Sequence, residues 1–134
     1  GIAFTNSSVA LVHGMARPLG AKFGIPHGVS NAVLLEAIMR FSLPGAPERY
    51  ARLAEAMGAV PAGTPLETAR AGLGIVSRLV RELHIPRLRD LLSRDALDAQ
   101  LDAMVREAVA SGSPANNPRP ASPEEIASLY GEAF

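Results

Sequence analysis

Val12-His13-Gly14-Met15-Ala16-Arg17-Pro18-Leu19-Gly20 and, after four further residues, Ile25-Pro26-His27-Gly28 place two histidines on either side of a segment suited to reversing the chain. Val9, Val12, His13 and Ala16 recur at the spacing of one helical face, which predicts a helix from about Thr5 towards Ala16. Pro18 lacks an amide donor and biases Arg17 away from helical backbone, so the helix is expected to kink or end there. Gly20 and Gly24 then give the chain freedom to turn. Ile25-Pro26-His27-Gly28 reads as the entry to a second helix carrying Val33, Leu34, Leu35, Ile38 and Met39, closed by Pro44-Gly45.

Outward from this segment the same signals continue. Ala46 to Met57 has Tyr50, Leu53, Ala54 and Met57 at helical spacing and stops at Gly58, before a Pro- and Gly-rich loop from Val60 to Pro65. Thr64 and Glu67 form a capping box for a helix bearing Ala69, Leu73, Val76, Leu79, Val80 and Leu83, with Pro86 marking its end. Leu88 to Leu92 reads as a short turn, and Asp95 to Ala110 as a helix with Leu97, Leu101, Met104, Val105 and Val109 inward. After a loop from Ser111 to Pro120, Ser122 caps a last helix with Glu125 at its third position. No strand and no internal repeat emerges, so the expected fold is all-α, a multi-helix bundle of about six helices.

Composition agrees with one domain spanning 1–134. Hydrophobic residues make up 48% of the 134 and aromatics only 4%, so the core must come from Leu, Val, Ile, Met and Ala. Thirteen basic residues balance thirteen acidic ones without a long run of either sign, which argues against nucleic acid or an anionic membrane as a partner. The absence of cysteine excludes disulfides, a thiolate zinc site and a cysteine nucleophile, and fits a reducing cytoplasm. Apolar runs fall short of the roughly twenty residues of a spanning helix, and no secretory signal is evident. The chain opens without Met inside a helical pattern, from which a fragment is expected.

Three histidines are candidates for chemistry. His84, near a helix end beside Ile85-Pro86, is expected to be structural. His13 and His27 are too far apart in sequence for a metal motif on a single helix and can meet only if the chain reverses between them. At a helix start the dipole disfavours an imidazolium at His27, and the neutral ring is the form that binds a metal. Two histidines do not close a catalytic site, which takes at least three protein ligands, so the others are expected from elsewhere. The competing readings are a hydrogen-bonded core histidine and a plain Pro-His-Gly turn.

A longer string is more specific. Gly1-Ile2-Ala3-Phe4-Thr5-Asn6, the two histidine phrases extended through Val29-Ser30-Asn31-Ala32, Arg49-Tyr50 with Ala56-Met57-Gly58, Asn117-Pro118-Arg119 and the helix from Glu124 to Tyr130 together resemble the iron-containing (group III) alcohol dehydrogenases. The resemblance covers essentially the whole chain and implies the C-terminal, metal-bearing helical domain of a dehydroquinate synthase-like architecture. It implies that His13 and His27 match the family's last two metal ligands, and that an Asp and a His completing the set lie upstream of Gly1 with an N-terminal nucleotide-binding domain.

It further implies reversible hydride transfer between NAD or NADP and a small primary alcohol or aldehyde. The ion would be iron, with zinc as the alternative, and the enzyme a homo-oligomer; this portion would be inactive alone. Arg17 stands where the family commonly has a histidine near the nicotinamide; a guanidinium cannot shuttle a proton or ligate iron as imidazole does, and either binds an anionic group or points to solvent. Phe4 and Val9 fall where relatives line the substrate pocket. The alternatives are a non-catalytic helical interaction or assembly module that retains the fold, or a related glycerol dehydrogenase or maleylacetate reductase.

Overall fold

Caps and left-handed residues set most helix ends. The computed structural model describes the backbone of residues 1–134 and every side chain except those of Ala3 and Phe4. Among the described residues there are eight α-helices and no strand: α1 (Ile2–Ser7), α2 (Leu11–Phe23), α3 (His27–Ser42), α4 (Pro47–Ala56), α5 (Pro65–Glu82), α6 (Leu88–Leu91), α7 (Arg94–Ala110) and α8 (Pro123–Ala133). Thr64 and Ser122 each accept from the amide of the glutamate three residues on, at 3.2 Å, and each glutamate carboxylate accepts the capping residue's own amide in return. Both predicted capping boxes are therefore present. Ser93, given no role in the sequence reading, caps α7 through the amide of Ala96. At the end of α5, His84 takes a left-handed backbone with φ 54°, while the amides of His84 and Ile85 bond back to Arg81 and Val80. A residue in this conformation closes the open carbonyls of a helix, which is a structural role for the His84 backbone.

The core lies where α2, α3, α7 and α8 meet. Leu11, Met15 and Leu19 of α2 pack with Leu34 and Ile38 of α3, Leu97 and Met104 of α7, and Ile126, Leu129 and Tyr130 of α8. Tyr130 is fully buried and its hydroxyl donates to the carbonyl oxygen of Met15 at 2.7 Å, joining the last helix to the helix that carries His13. Lys22 and Glu107 join α2 to α7 at 2.7 Å. The hairpin of α4 and α5 is built on small residues: a Cβ on Gly72 would stand 2.5 Å from that of Ala54, so the two helices approach closely only because Gly72 has none. No helix among the described residues is long and apolar enough to cross a membrane.

Three expectations change. The predicted first helix is two, because Ser8 adopts φ 60° and breaks it; Val9 lies in the break. Pro18 neither ends nor interrupts α2, which runs on to Phe23. An interior proline costs about 3 kcal/mol, while fully burying a Leu or Met side chain stabilises by roughly 1.5–3 kcal/mol; Met15 and Leu19, on either side of Pro18, are both wholly buried. Finally, Leu53, Leu79, Leu83 and Val109 are exposed rather than inward, and Ala108 takes the buried place beside Val105.

Candidate metal centre

The reversal between the histidines is made by three residues after α2. Gly24, at φ 67°, donates its amide to the carbonyl oxygen of Gly20 and ends the helix; Ile25 is buried; and Pro26, at φ −54° and ψ 139°, leads directly into α3 at His27. The hydroxyl of Ser30 donates to the carbonyl oxygen of Ile25 at 3.2 Å and secures the corner. Gly20 does not turn. A Cβ there would lie 3.2 Å from the carbonyl oxygen of Ile25, so its lack of a side chain admits the returning strand of backbone.

This corner brings His27 back to His13. His27 Nε2 lies 3.2 Å from His13 Nδ1, with ring centroids 5.2 Å apart and the planes tilted by 45°. His13 is half-buried in α2 and His27 exposed at the start of α3. The His13 pKa is lowered below 6.5, first by burial and then by the neighbouring charges of His27 and Arg17. A neutral His13 ring keeps a lone pair available to a cation. Two nitrogens each about 2.1 Å from one ion stand roughly 3.0 Å apart at a right angle and about 3.4 Å apart at a tetrahedral angle; the observed 3.2 Å lies between. The pair thus fits two positions on one divalent ion. Among the described residues no third His, Cys, Asp or Glu joins it.

Arg17 is exposed one helical turn beyond His13 and close enough to act on its charge. Val9 is half-buried, and its carbonyl oxygen accepts from the Asn116 amide at 3.0 Å. Because it lies outside α2, the helical turn that would relate it to His13 is not formed. The Phe4 side chain lies outside the described residues. Asn31 had no role in the sequence reading, yet it touches His27: its Nδ2 lies 3.0 Å from His27 Nε2 and donates to the His27 carbonyl oxygen at 2.9 Å. Its position one turn after His27, on the same helix, is the signal that could have found it.

A sequence model of the family described as "Fe-containing alcohol dehydrogenase family, C-terminal" matches residues 1–134. The chain belongs to this family. Among relatives of the iron-containing alcohol dehydrogenases, 1,3-propanediol dehydrogenase of Klebsiella pneumoniae is 38% identical over 136 residues, covering 100% of this chain and 34% of its own length. Lactaldehyde reductase of Escherichia coli (strain K12) is 40% identical over 137 residues, covering 100% of this chain and 35% of its own. Of solved structures, an alcohol dehydrogenase from Oenococcus oeni superposes with a TM-score of 0.91 at 31% identity, covering 100% of this chain and 35% of that one. The chain spans about a third of the length of the curated relatives it matches.

Proposed function

We propose that this chain is the substrate-side, metal-bearing portion of an NAD(P)-dependent alcohol dehydrogenase or aldehyde reductase, with His13 and His27 as two ligands of its ion. The 3.2 Å separation of the two ring nitrogens is the observation that supports this reading. The ion is ferrous iron, with zinc as the alternative, since imidazole suits both. An Asp and a His upstream of Gly1 complete the ligand set, and NAD or NADP binds through an upstream nucleotide-binding domain of the same protein. The relatives named for 1,3-propanediol and lactaldehyde support a small primary alcohol or aldehyde as substrate. When bound, the metal supplies Lewis-acid polarisation of the substrate oxygen.

The residues of this chain position and hold. Burial first, and then the neighbouring His27 and Arg17, disfavour protonation of His13, which favours the form whose lone pair a metal ion takes. Arg17, one turn along α2, offers a fixed positive charge at the rim of the site for an anionic group of substrate or cofactor. Val9 forms part of the wall near the substrate. The complete enzyme is a homo-oligomer of the cytoplasm.

The complete enzyme, purified without chelator, is expected to hold about one divalent ion per chain and to lose it on His13→Ala or His27→Ala. Metal analysis of the three proteins tests this. Metal-free wild-type protein, with both variants equally stable, would favour a non-catalytic helical module instead.

A further inference from the structure

Resting on the reading of this chain as the later part of a longer enzyme, we propose that the apolar groove between α3 and the α4–α5 hairpin is an interface within that enzyme, filled by apolar side chains of the polypeptide that precedes Gly1. The groove holds about 310 Å³ and is walled by Val12 of α2, Leu35 and Met39 of α3, Leu53 and Met57 of α4 and Val76 of α5. Leu35, Leu53 and Met57 are 39%, 55% and 41% exposed. Apolar side chains exposed singly are ordinary, but several meeting around one concavity mark a surface that another segment covers.

The polar groups at the groove are already engaged with one another. Asn117 Nδ2 donates to Ser42 Oγ at 2.9 Å and to the carbonyl oxygen of Arg119 at 2.7 Å. Ser42 Oγ donates to the carbonyl oxygen of Ile38 at 2.7 Å, and the Tyr50 hydroxyl is hydrogen-bonded with Ser42. A small polar ligand needs convergent donors and acceptors to orient it; this groove offers apolar surface instead. A cavity of about 150 Å³ accepts a benzene-sized group, so the groove suits two large apolar side chains of a neighbouring segment.

Position selects the occupant. His27, Asn31, Leu35 and Met39 follow at four-residue steps along α3, so the helix face that starts at the histidine pair runs into the groove. Ala10, just after α1, is also at its rim. The matching family model is that of a C-terminal part, and the larger part of each relative lies before the segment matched here. A segment tethered through α1 is held beside the groove at high effective concentration. The described side chains of α1 are themselves all exposed, Ile2 at 82%. A second copy of the chain fits less well, because a two-fold contact would set one concavity against another.

The test uses the complete enzyme. Residues 1–134 contain no cysteine, so a thiol introduced there can be followed on its own peptide. Leu53→Cys and Met57→Cys, in the groove, are compared with Val60→Cys, on the exposed loop after α4, by alkylation under native conditions and peptide mass spectrometry. The two groove thiols are expected to react about 100-fold more slowly, because reaction there waits on local opening. A photo-crosslinking amino acid in place of Leu53 is expected to join peptides that precede Gly1, both partners coming from one chain when unlabelled and nitrogen-15 enzyme are mixed. Equal reactivity of the three thiols, or a cross-link to another copy, overturns the inference. Metal analysis of the same preparations separates it from the reading on which it rests: an open groove in enzyme that holds its ion overturns this inference alone, while an open groove in enzyme that binds no ion overturns the proposed function as well.

Discussion

The helices around the histidines and the α4–α5 hairpin are held by different means. Around α2, α3, α7 and α8 the large side chains are inside: Leu11, Met15, Leu19, Leu34, Met104 and Ile126 have no exposed surface. In the hairpin the buried residues are Ala51, Ala54, Thr68, Ala69 and Gly72, while Leu53, Leu79 and Leu83 are 55%, 51% and 62% exposed. The first region is fixed by contacts between distant parts of the chain, the second by local devices: a capping box at Thr64, left-handed residues at Gly58 and His84, and the close approach at Gly72. Between them lies an apolar groove of about 310 Å³, lined by Val12, Leu35, Met39, Leu53, Met57 and neighbours. Beside this groove α3 and α5 are in direct contact.

Leu34→Ala tests this division most severely. It removes a wholly buried side chain from α3, and chemical denaturation is expected to show a loss of about 2–5 kcal/mol; a loss under 1 kcal/mol would mean that the bundle is no better packed than the hairpin. Tyr130→Phe keeps the ring and removes only the bond to Met15, at an expected cost of about 1 kcal/mol. A neutral result there would take away the long-range tie between α8 and α2.

A gentler probe is pH. The folded His13 pKa lies below 6.5, so beneath pH 6.5 the unfolded chain binds a proton that the fold does not, and stability rises with pH across that window. The contribution of this residue is complete above pH 6.5 and declines as pH falls from there towards the folded value. Thermal melts of metal-free wild type and His13→Gln between pH 5 and 7 are expected to differ in slope, the variant being flatter; identical slopes would show that His13 is as solvated in the fold as in the unfolded chain. The smallest effect is expected from Leu83→Ser, at an exposed position, within about 0.5 kcal/mol of wild type. A larger loss would show that the hairpin has a partner surface.

The same contrast explains what could be read from the sequence. Helix ends were legible where one residue's chemistry decides them: Thr64 and Ser122 as caps, Gly58 as a stop. That His13 and His27 could meet was legible because Pro18, Gly20 and Gly24 offered a reversal between them, although a plain turn fitted the spacing too. Of those three residues Gly24 makes the turn, and Pro18 and Gly20 do not. Pro18 carries a strong local signal against helix, but the burial of Met15 and Leu19 decides the matter, and burial depends on α7 and α8, far along the chain. The hairpin failed in the opposite sense. Apolar spacing marks the face of a helix that could be covered, and Leu79 and Leu83 lie on such a face, left exposed among the described residues. Asn31 escaped notice because an asparagine one turn into a helix is unremarkable until the ring beside it is in place.

The bond between Tyr130 and the Met15 carbonyl has a consequence for biosynthesis. Domains fold during synthesis from the N-terminal side, yet α2 obtains this partner only after 115 more residues have been made. While the ribosome is still adding α8, α2 can pack against α3 and α7 but lacks its tie to Tyr130. A nascent chain stalled before Ile126 would leave the Met15 carbonyl without this partner, so the oldest part of this segment gains its last tie only when the newest is made.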